Sequence, residues 1–272
     1  VNYTLRNNAD NSVVAGTVAG TGAAINFSTG LISSTTTYNV LAKNDNPGSI
    51  NFNGTSSSYV NRALALDVTK GFTVEGWMNM NNANTLNSFA SQGVGLAAGP
   101  FVLYTSVSGG LNFWIGNGIV SQQLTSAAVL TTAGVWYHLA CVYNASTSTM
   151  SIYINGVLNV SATVTAAVAN YAGSQLLIGK RVDNGVFMNG KIDDFRVWNK
   201  ARTATEIANN YQNCITTPQT GLSLYYKFDD GVGSTTAADA SGHGLNGTVN
   251  GSTFSVGNLN CTPSCSLQMS TT

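Results

Sequence analysis

Gly190-Lys-Ile-Asp-Asp-Phe-Arg-Val-Trp-Asn199 is the stretch from which the fold can be read. As a strand it places Lys191, Asp193, Phe195 and Val197 on one face and Ile192, Asp194, Arg196 and Trp198 on the other. Both faces carry apolar bulk, which suits a strand inside a layered β structure. The same stretch brings two adjacent carboxylates, and these are costly to bury without a cation or hydrogen-bond donors. It is expected to be the closing strand of a two-sheet sandwich.

The surrounding composition agrees. Charged residues make up 8% of the 272 residues, 11 basic against 11 acidic, so there is no polyanion-binding surface and nucleic acid is not expected as a partner. The polar surface must come from Asn, Ser, Thr and Gly, residues of turns and strand edges rather than of helices. An all-β protein follows. No apolar run is long enough to span a bilayer and the N-terminus lacks a basic-then-apolar leader, so membrane insertion is not expected and the chain reads as an internal segment of a larger protein.

Four cysteines are present. Cys214 and Cys261 flank one segment and could tie its ends together, which would suit an oxidising, extracellular setting; Cys261 with Cys265 is the competing pair. Cys141, in the apolar run His-Leu-Ala-Cys-Val-Tyr, reads as a buried free thiol. Neither His138 nor His243 has the cysteine spacing of a zinc site around it.

Residues 1–44 carry three strand-like runs, Asn2 to Arg6, Ala23 to Phe27 and Thr35 to Ala42, and are expected to form a partial immunoglobulin-like β module or spacer. Asn-Asp-Asn-Pro-Gly at 44–48 marks a boundary. From Ser49 the runs lengthen: Ser49 to Phe52, Tyr59 to Ala63, Phe72 to Met80, Phe101 to Ser106, Gly110 to Gly116, Val135 to Asn144, Thr149 to Ile154 and Gln175 to Gly179. Asn155-Gly156 is a hairpin signal, because both residues accept the positive φ of a type I′ turn. Thr203 with Glu206 forms a capping-box pattern ahead of a short helix containing Ile207 and Tyr211. The chain then returns to strand at Gly221 to Phe228 and Gly247 to Phe254. Antiparallel strands joined in this way predict a jelly-roll sandwich over residues 45–260, with 221–254 completing it and 261–272 a linker or the start of another module.

Phe72-Thr-Val-Glu-Gly-Trp77, Trp136-Tyr-His-Leu-Ala140, Ser151-Ile-Tyr-Ile-Asn-Gly156, Leu177-Ile-Gly179, the 190–198 stretch and Ala201-Arg-Thr-Ala-Thr-Glu-Ile207 follow one another across 49–213. Together they resemble the successive signatures of laminin-G-like, concanavalin A-like jelly-roll domains. Gly221 to Asp229, followed by Asp239-Ala-Ser-Gly-His-Gly-Leu-Asn-Gly247, resembles a segment that in many such domains comes first; here it comes last. The Asn/Thr/Ser-rich style is also similar to that of large bacterial surface adhesins.

The resemblance implies a structural calcium ion held by Asp193, with Asp194 as its substitute, and by Asp239 in the later loop. Calcium favours hard oxygen ligands held by a turn. Against that stands the reading in which Asp193 pairs with Arg196 or Lys191 and Asp239 caps its own turn. For glycan binding the residues to look for are rings and amides on one sheet face. Trp114 and Asn112 alternate with Leu111, Phe113 and Ile115, and Tyr104 alternates with Phe101 and Leu103. Tyr104, Asn112 and Trp114, rimmed by Arg181, Gln92 and Gln122, form the candidate binding face; Trp77 and Trp136 read as core.

Hydrolysis needs two carboxylates facing one bond. The only glutamates are Glu75 and Glu206, and no Glu-x-Asp-x-Glu strand or Gly-x-Ser-x-Gly elbow occurs. A non-catalytic, calcium-stabilised carbohydrate-binding or adhesion module of a secreted or cell-surface protein is expected, with a glycan or surface polysaccharide, or other modules of the same protein, as partner. The competing expectation is a purely structural spacer or protein-interaction module, and a glycoside hydrolase is disfavoured.

Overall fold

The structure is a computed structural model that describes residues 2–19, 24–32, 34–43, 48–93, 95, 99–165, 168–169, 174–213, 215 and 217–256. It opens with β1 (Asn2–Asn7), β2 (Val13–Ala19) and β3 (Tyr38–Lys43), an antiparallel sheet of order β2-β1-β3. The sequence placed the middle strand at Ala23 to Phe27; the described part of that run, 24–27, forms none. Val13–Ala19, rich in small residues and largely exposed, takes the place instead.

Then follow β4 (Gly48–Asn53), β5 (Tyr59–Ala63), β6 (Phe72–Met80), β7 (Ser88–Gln92), β8 (Phe101–Thr105), β9 (Leu111–Gly116) and β10 (Ser121–Thr125). After these come β11 (Trp136–Asn144), β12 (Thr149–Ile154), β13 (Val157–Thr163), β14 (Gln175–Ile178), β15 (Asn189–Trp198) and helix α1 (Ala204–Asn210). The last strands are β16 (Leu222–Tyr226), β17 (Thr236–Ala237), β18 (Gly247–Asn250) and β19 (Thr253–Val256). One eight-stranded sheet runs β10-β9-β8-β7-β14-β5-β18-β17; the second runs β13-β12-β11-β6-β15-β4-β19, with β16 paired to β15.

Alternation explains the layers. Phe101, Leu103, Phe113 and Ile115 from the first sheet and Phe72, Val74, Ile192 and Phe195 from the second share one buried cluster. Phe72 meets Phe101 and Phe113, and Phe89 meets Phe195, across the gap. This is a sandwich of antiparallel sheets with an aromatic core, as the sequence predicts.

The tail enters both sheets. The run expected as one strand, Gly247 to Phe254, breaks at Gly251, where φ is +53° and an added Cβ would lie 2.6 Å from the Ser57 carbonyl oxygen. The break lets β18 pair with β5 while β19 pairs with β4, on opposite sides of the core. At the start of β4, Gly48 donates its N–H to Oδ1 of Asp229 at 2.6 Å, and a Cβ there would lie 2.0 Å from the Phe228 carbonyl oxygen. Only glycine permits that approach.

Thr203 caps α1 through the full capping box with Glu206, as the spacing requires. Ile207 then packs on Ala140, Val142 and Tyr153, so the helix covers part of the outer face of the second sheet. Asn155 and Gly156 both take positive φ and form the β12–β13 turn. Cys141 is a buried free thiol. Cys214, Cys261 and Cys265, and 44–47 of the expected boundary, lie outside the described residues.

Candidate functional site

The β15 ladder corrects the simple alternation of its sequence. Asp193 faces Trp77 on β6, but the next register partner of β6, Glu75, faces Arg196, so Asp194 and Phe195 together oppose Gly76. Asp194 has φ +50° and is the extra residue of a β-bulge. Phe195 therefore joins Ile192 and Val197 in the core, while Arg196 and Trp198 line up with Asp193 on the other side. A Cβ on Gly76 would lie 3.1–3.2 Å from the backbone of Asp193, Asp194 and Phe195, which is why glycine stands opposite the bulge.

The bulge gathers buried charge. Arg196 lies 3.4 Å from Asp194 and 3.5 Å from Glu75, and Arg202 donates to both Glu75 oxygens at 2.6 and 2.8 Å. The Trp198 indole N–H donates to Glu75 at 3.0 Å. Burial alone would raise the Glu75 pKa, but the two guanidiniums outweigh it and hold the carboxyl below its ordinary value. Beside this network His138 sits between the Trp77 and Tyr211 rings with neither ring nitrogen hydrogen-bonded, and burial lowers its pKa to about 4.

Asp193 is different. Its carboxylate accepts the Asp194 N–H at 2.7 Å, yet burial, then the neighbouring charges of Asp194 and Asp229, push its pKa well above the ordinary range. Asp229 is raised as well, again mainly by burial. The expected partner, Asp239, is engaged elsewhere: Oδ1 accepts from the N–H groups of Tyr225 and Ser241, Oδ2 from the Ser241 hydroxyl and the Leu245 N–H. These donors outweigh burial and lower its pKa. The carboxylate that charges the bulge from the tail is Asp229. The sequence expectation left it out of the ion site, although Asp229 and Asp230 form an acidic pair after an apolar strand, like Asp193 and Asp194.

Asp193 is a buried carboxylate short of positive charge, and the more exposed Asp229 adds a second negative charge to it, which suits a hard cation. Asp194 is committed to Arg196 and to the Tyr225 phenol. No group of three or more His, Cys, Asp or Glu side chains among the described residues could hold a metal, so such an ion would draw most of its ligands from carbonyls and water.

On the other sheet Tyr104 and Asn112 are register partners, as are Val102 and Trp114, and Gln123 pairs with Trp114. These residues face away from the core. Tyr104 and Trp114 are half-buried, and the Trp114 Nε1–H has no acceptor. Asn112 is buried, with its carbonyl oxygen accepting from Gln123 at 2.6 Å and Thr125 at 2.9 Å. Arg181, in the hairpin between β14 and β15, lays its guanidinium over the Tyr104 ring at 4.8 Å and pairs with Asp183 through Nε and Nη2 at 2.7 and 2.9 Å. Two expected rim residues are not there. Gln92 is buried and bonds the Leu64 carbonyl, and Gln122 lies one residue out of phase, on the side of Leu124, bonding the Thr163 carbonyl at the end of β13 and the Thr165 N–H just beyond it. Gln123 and Asp183 take their places.

The family model described as the concanavalin A-like lectin/glucanases superfamily matches residues 52–208. The chain belongs to that superfamily. A similar solved structure is that of a Bacteroides ovatus protein named a putative carbohydrate binding protein, with TM-score 0.62 and 21% identity over 85% of this chain and 66% of the other. The present chain thus spans just under two thirds of that protein. The heptameric SAP-like pentraxin of Limulus polyphemus aligns with TM-score 0.59 and 18% identity, covering 80% of this chain and 99% of the pentraxin. At these identities the likeness shows the fold alone. No curated protein matches the chain. Within this concanavalin A-like domain both glutamates are engaged inside the fold: Glu75 lies in the arginine network, and Glu206 bonds Lys200 and the helix cap.

Proposed function

We propose that this is a non-catalytic carbohydrate-binding module of a secreted or cell-surface protein, reading its ligand on the outer face of β8 and β9. The observation that carries this is the outward position of Trp114 and Tyr104, whose neighbours in sequence fill the core. A spacer would gain nothing from leaving two large rings half-open on one face. Trp114 offers the apolar platform on which a sugar ring stacks, and its unmet N–H becomes available to a ligand hydroxyl after a small shift of the ring.

The ligand class is neutral. Arg181 already has its charge matched by Asp183, and it keeps further N–H groups for hydroxyls while the carboxylate accepts from them. A calcium ion at Asp193 and Asp229 would stabilise the domain without touching the sugar. The supporting feature is their raised affinity for protons, which a divalent cation would replace.

The test is a glycan array with neutral and sialylated probes, followed by calorimetry on any hit with the parent protein and Trp114→Ala. Binding of neutral glycans that falls at least about tenfold in the variant, with an unchanged melting curve, supports the reading. Full affinity in Trp114→Ala rules out this face.

A further inference from the structure

A second recess lies away from the Trp114 face. It has a volume of about 530 Å³, within the range of ligand pockets, and its walls come from four separate parts of the chain. Leu64 and Ala65 follow β5, Asn199 follows β15, Ser223 lies in β16, and His243 and Leu245 belong to the loop before β18.

The loop chemistry fixes how His243 presents itself. The Ser241 hydroxyl lies 2.8 Å from Oδ2 of Asp239 and 3.0 Å from Nδ1 of His243. A carboxylate can only accept, so the single Ser241 hydrogen goes to Asp239. Ser241 Oγ must then accept from His243, which places the imidazole proton on Nδ1 and leaves Nε2 with a free lone pair. The order of donors runs opposite to that of a nucleophilic triad, in which the serine gives its hydrogen to the imidazole.

Asn199 is oriented in the same way. Its Oδ1 accepts the Asp67 N–H at 3.2 Å, so its NH2 is the end left to donate. The residues that line the recess thus bring an acceptor, on His243, a donor, on Asn199, and a hydroxyl, on Ser223, together with the aliphatic side chains of Leu64, Ala65 and Leu245. No side chain lining it carries a full charge while His243 is neutral.

We infer that this recess is a second binding site for a neutral polyhydroxylated ligand, one or two sugar residues in size, whose hydroxyl donates to His243 Nε2 and accepts from Asn199 Nδ2. The site is separate from the Trp114 face and does not depend on it. Charged ligands are excluded by the lack of a counter-charge, and purely apolar ones would leave three polar groups unmet.

The test is nitrogen-15 NMR of the histidine rings, simplified because the chain has only His138 and His243. At neutral pH His243 should show the Nδ1-protonated tautomer. Titration with glucose, galactose and lactose should shift Nε2 selectively with at least one of them, and His243→Ala should weaken that sugar about tenfold. Ala65→Trp, at an exposed position, should fill the recess and abolish the shift while leaving any binding at Trp114 unchanged. An Nε2-protonated tautomer, no response to any of the three sugars, or a response that survives Ala65→Trp would overturn the inference.

Discussion

The phenol of Tyr225 donates to Oδ1 of Asp194 at 2.5 Å, so a residue of the tail strand holds the bulge of β15. The same tyrosine gives its backbone N–H to Asp239 at 3.1 Å. The bulge and the Asp239 loop are therefore tied through β16. Tyr225→Phe removes one buried donor to a carboxylate and should cost roughly 1.5–3 kcal/mol of unfolding free energy. Urea denaturation showing no change would mean the bulge holds without it.

Glu75 compensates both buried guanidiniums. Glu75→Gln keeps the volume but leaves Arg196 and Arg202 short of negative charge, and should cost on the order of 3–5 kcal/mol. Disrupting the exposed Lys70–Asp67 pair should leave the midpoint almost unmoved. Equal effects in the two variants would contradict the network described.

Metal dependence can be read from pH. In the metal-free fold, Asp193 and Asp229 keep protons that the unfolded chain releases near the ordinary carboxylate value of 3.8. Their contribution is present below that value and is lost as pH rises through the raised folded values. Asp193→Asn should thus stabilise the chelator-treated protein at pH 7. Calcium should raise the melting temperature of the parent protein and not that of the variant. A midpoint indifferent to calcium would remove the ion from the proposal.

His138 acts in the opposite sense. Its pKa falls from 6.5 to about 4 on folding, so its contribution is full above 6.5 and disappears as pH falls toward 4. The groups that set this balance are Glu75 and Asp194, which favour the charged ring, and Arg196 and Arg202, which oppose it. His138→Phe, which keeps a ring between Trp77 and Tyr211, should flatten the stability profile over that interval by up to about 3 kcal/mol. An unchanged acid limb would show that the histidine is not what fails.

Asp183→Asn should release the charge of Arg181. The variant is expected to gain binding to sialylated probes that the parent protein ignores, while its melting curve stays the same, since Asp183 lies in a solvent-facing turn. If the parent protein already prefers acidic glycans, the neutral assignment is wrong even though the binding face stands.

The layers were legible because alternation and turn chemistry are local. Phe72–Met80 and Thr149–Ile154 were bounded as they stand, and Asn155-Gly156 and Thr203 with Glu206 announced their turn and cap. The outward position of Tyr104, Asn112 and Trp114 followed from the same parity. Asp194 did not, because a bulge reverses parity downstream and nothing in Asp-Asp-Phe marks which residue is extra. Nor did the place of Asp229 beside the bulge, where Gly48 closes against Phe228 from 180 positions earlier. Gln92 looked like a rim amide, but its neighbours in space, Leu64 and Ser174, are remote in the chain.

The pairing of β4 with β19 also decides how the sandwich would respond to load. Gly48 faces Val256 and Ser49 faces Ser255, so the strands that enter and leave the sandwich begin and end side by side. Tension applied through these two points would open the ladder one rung at a time, like a zipper, rather than shear all its hydrogen bonds together. Gly48 is anchored by Asp229 and β4 is also paired to β15, whereas β19 has β4 as its partner, so β19 would peel first. The break at Gly251 would stop the peel before β18, leaving the Trp114 face and the His243 recess in place as a mechanical fuse gives way.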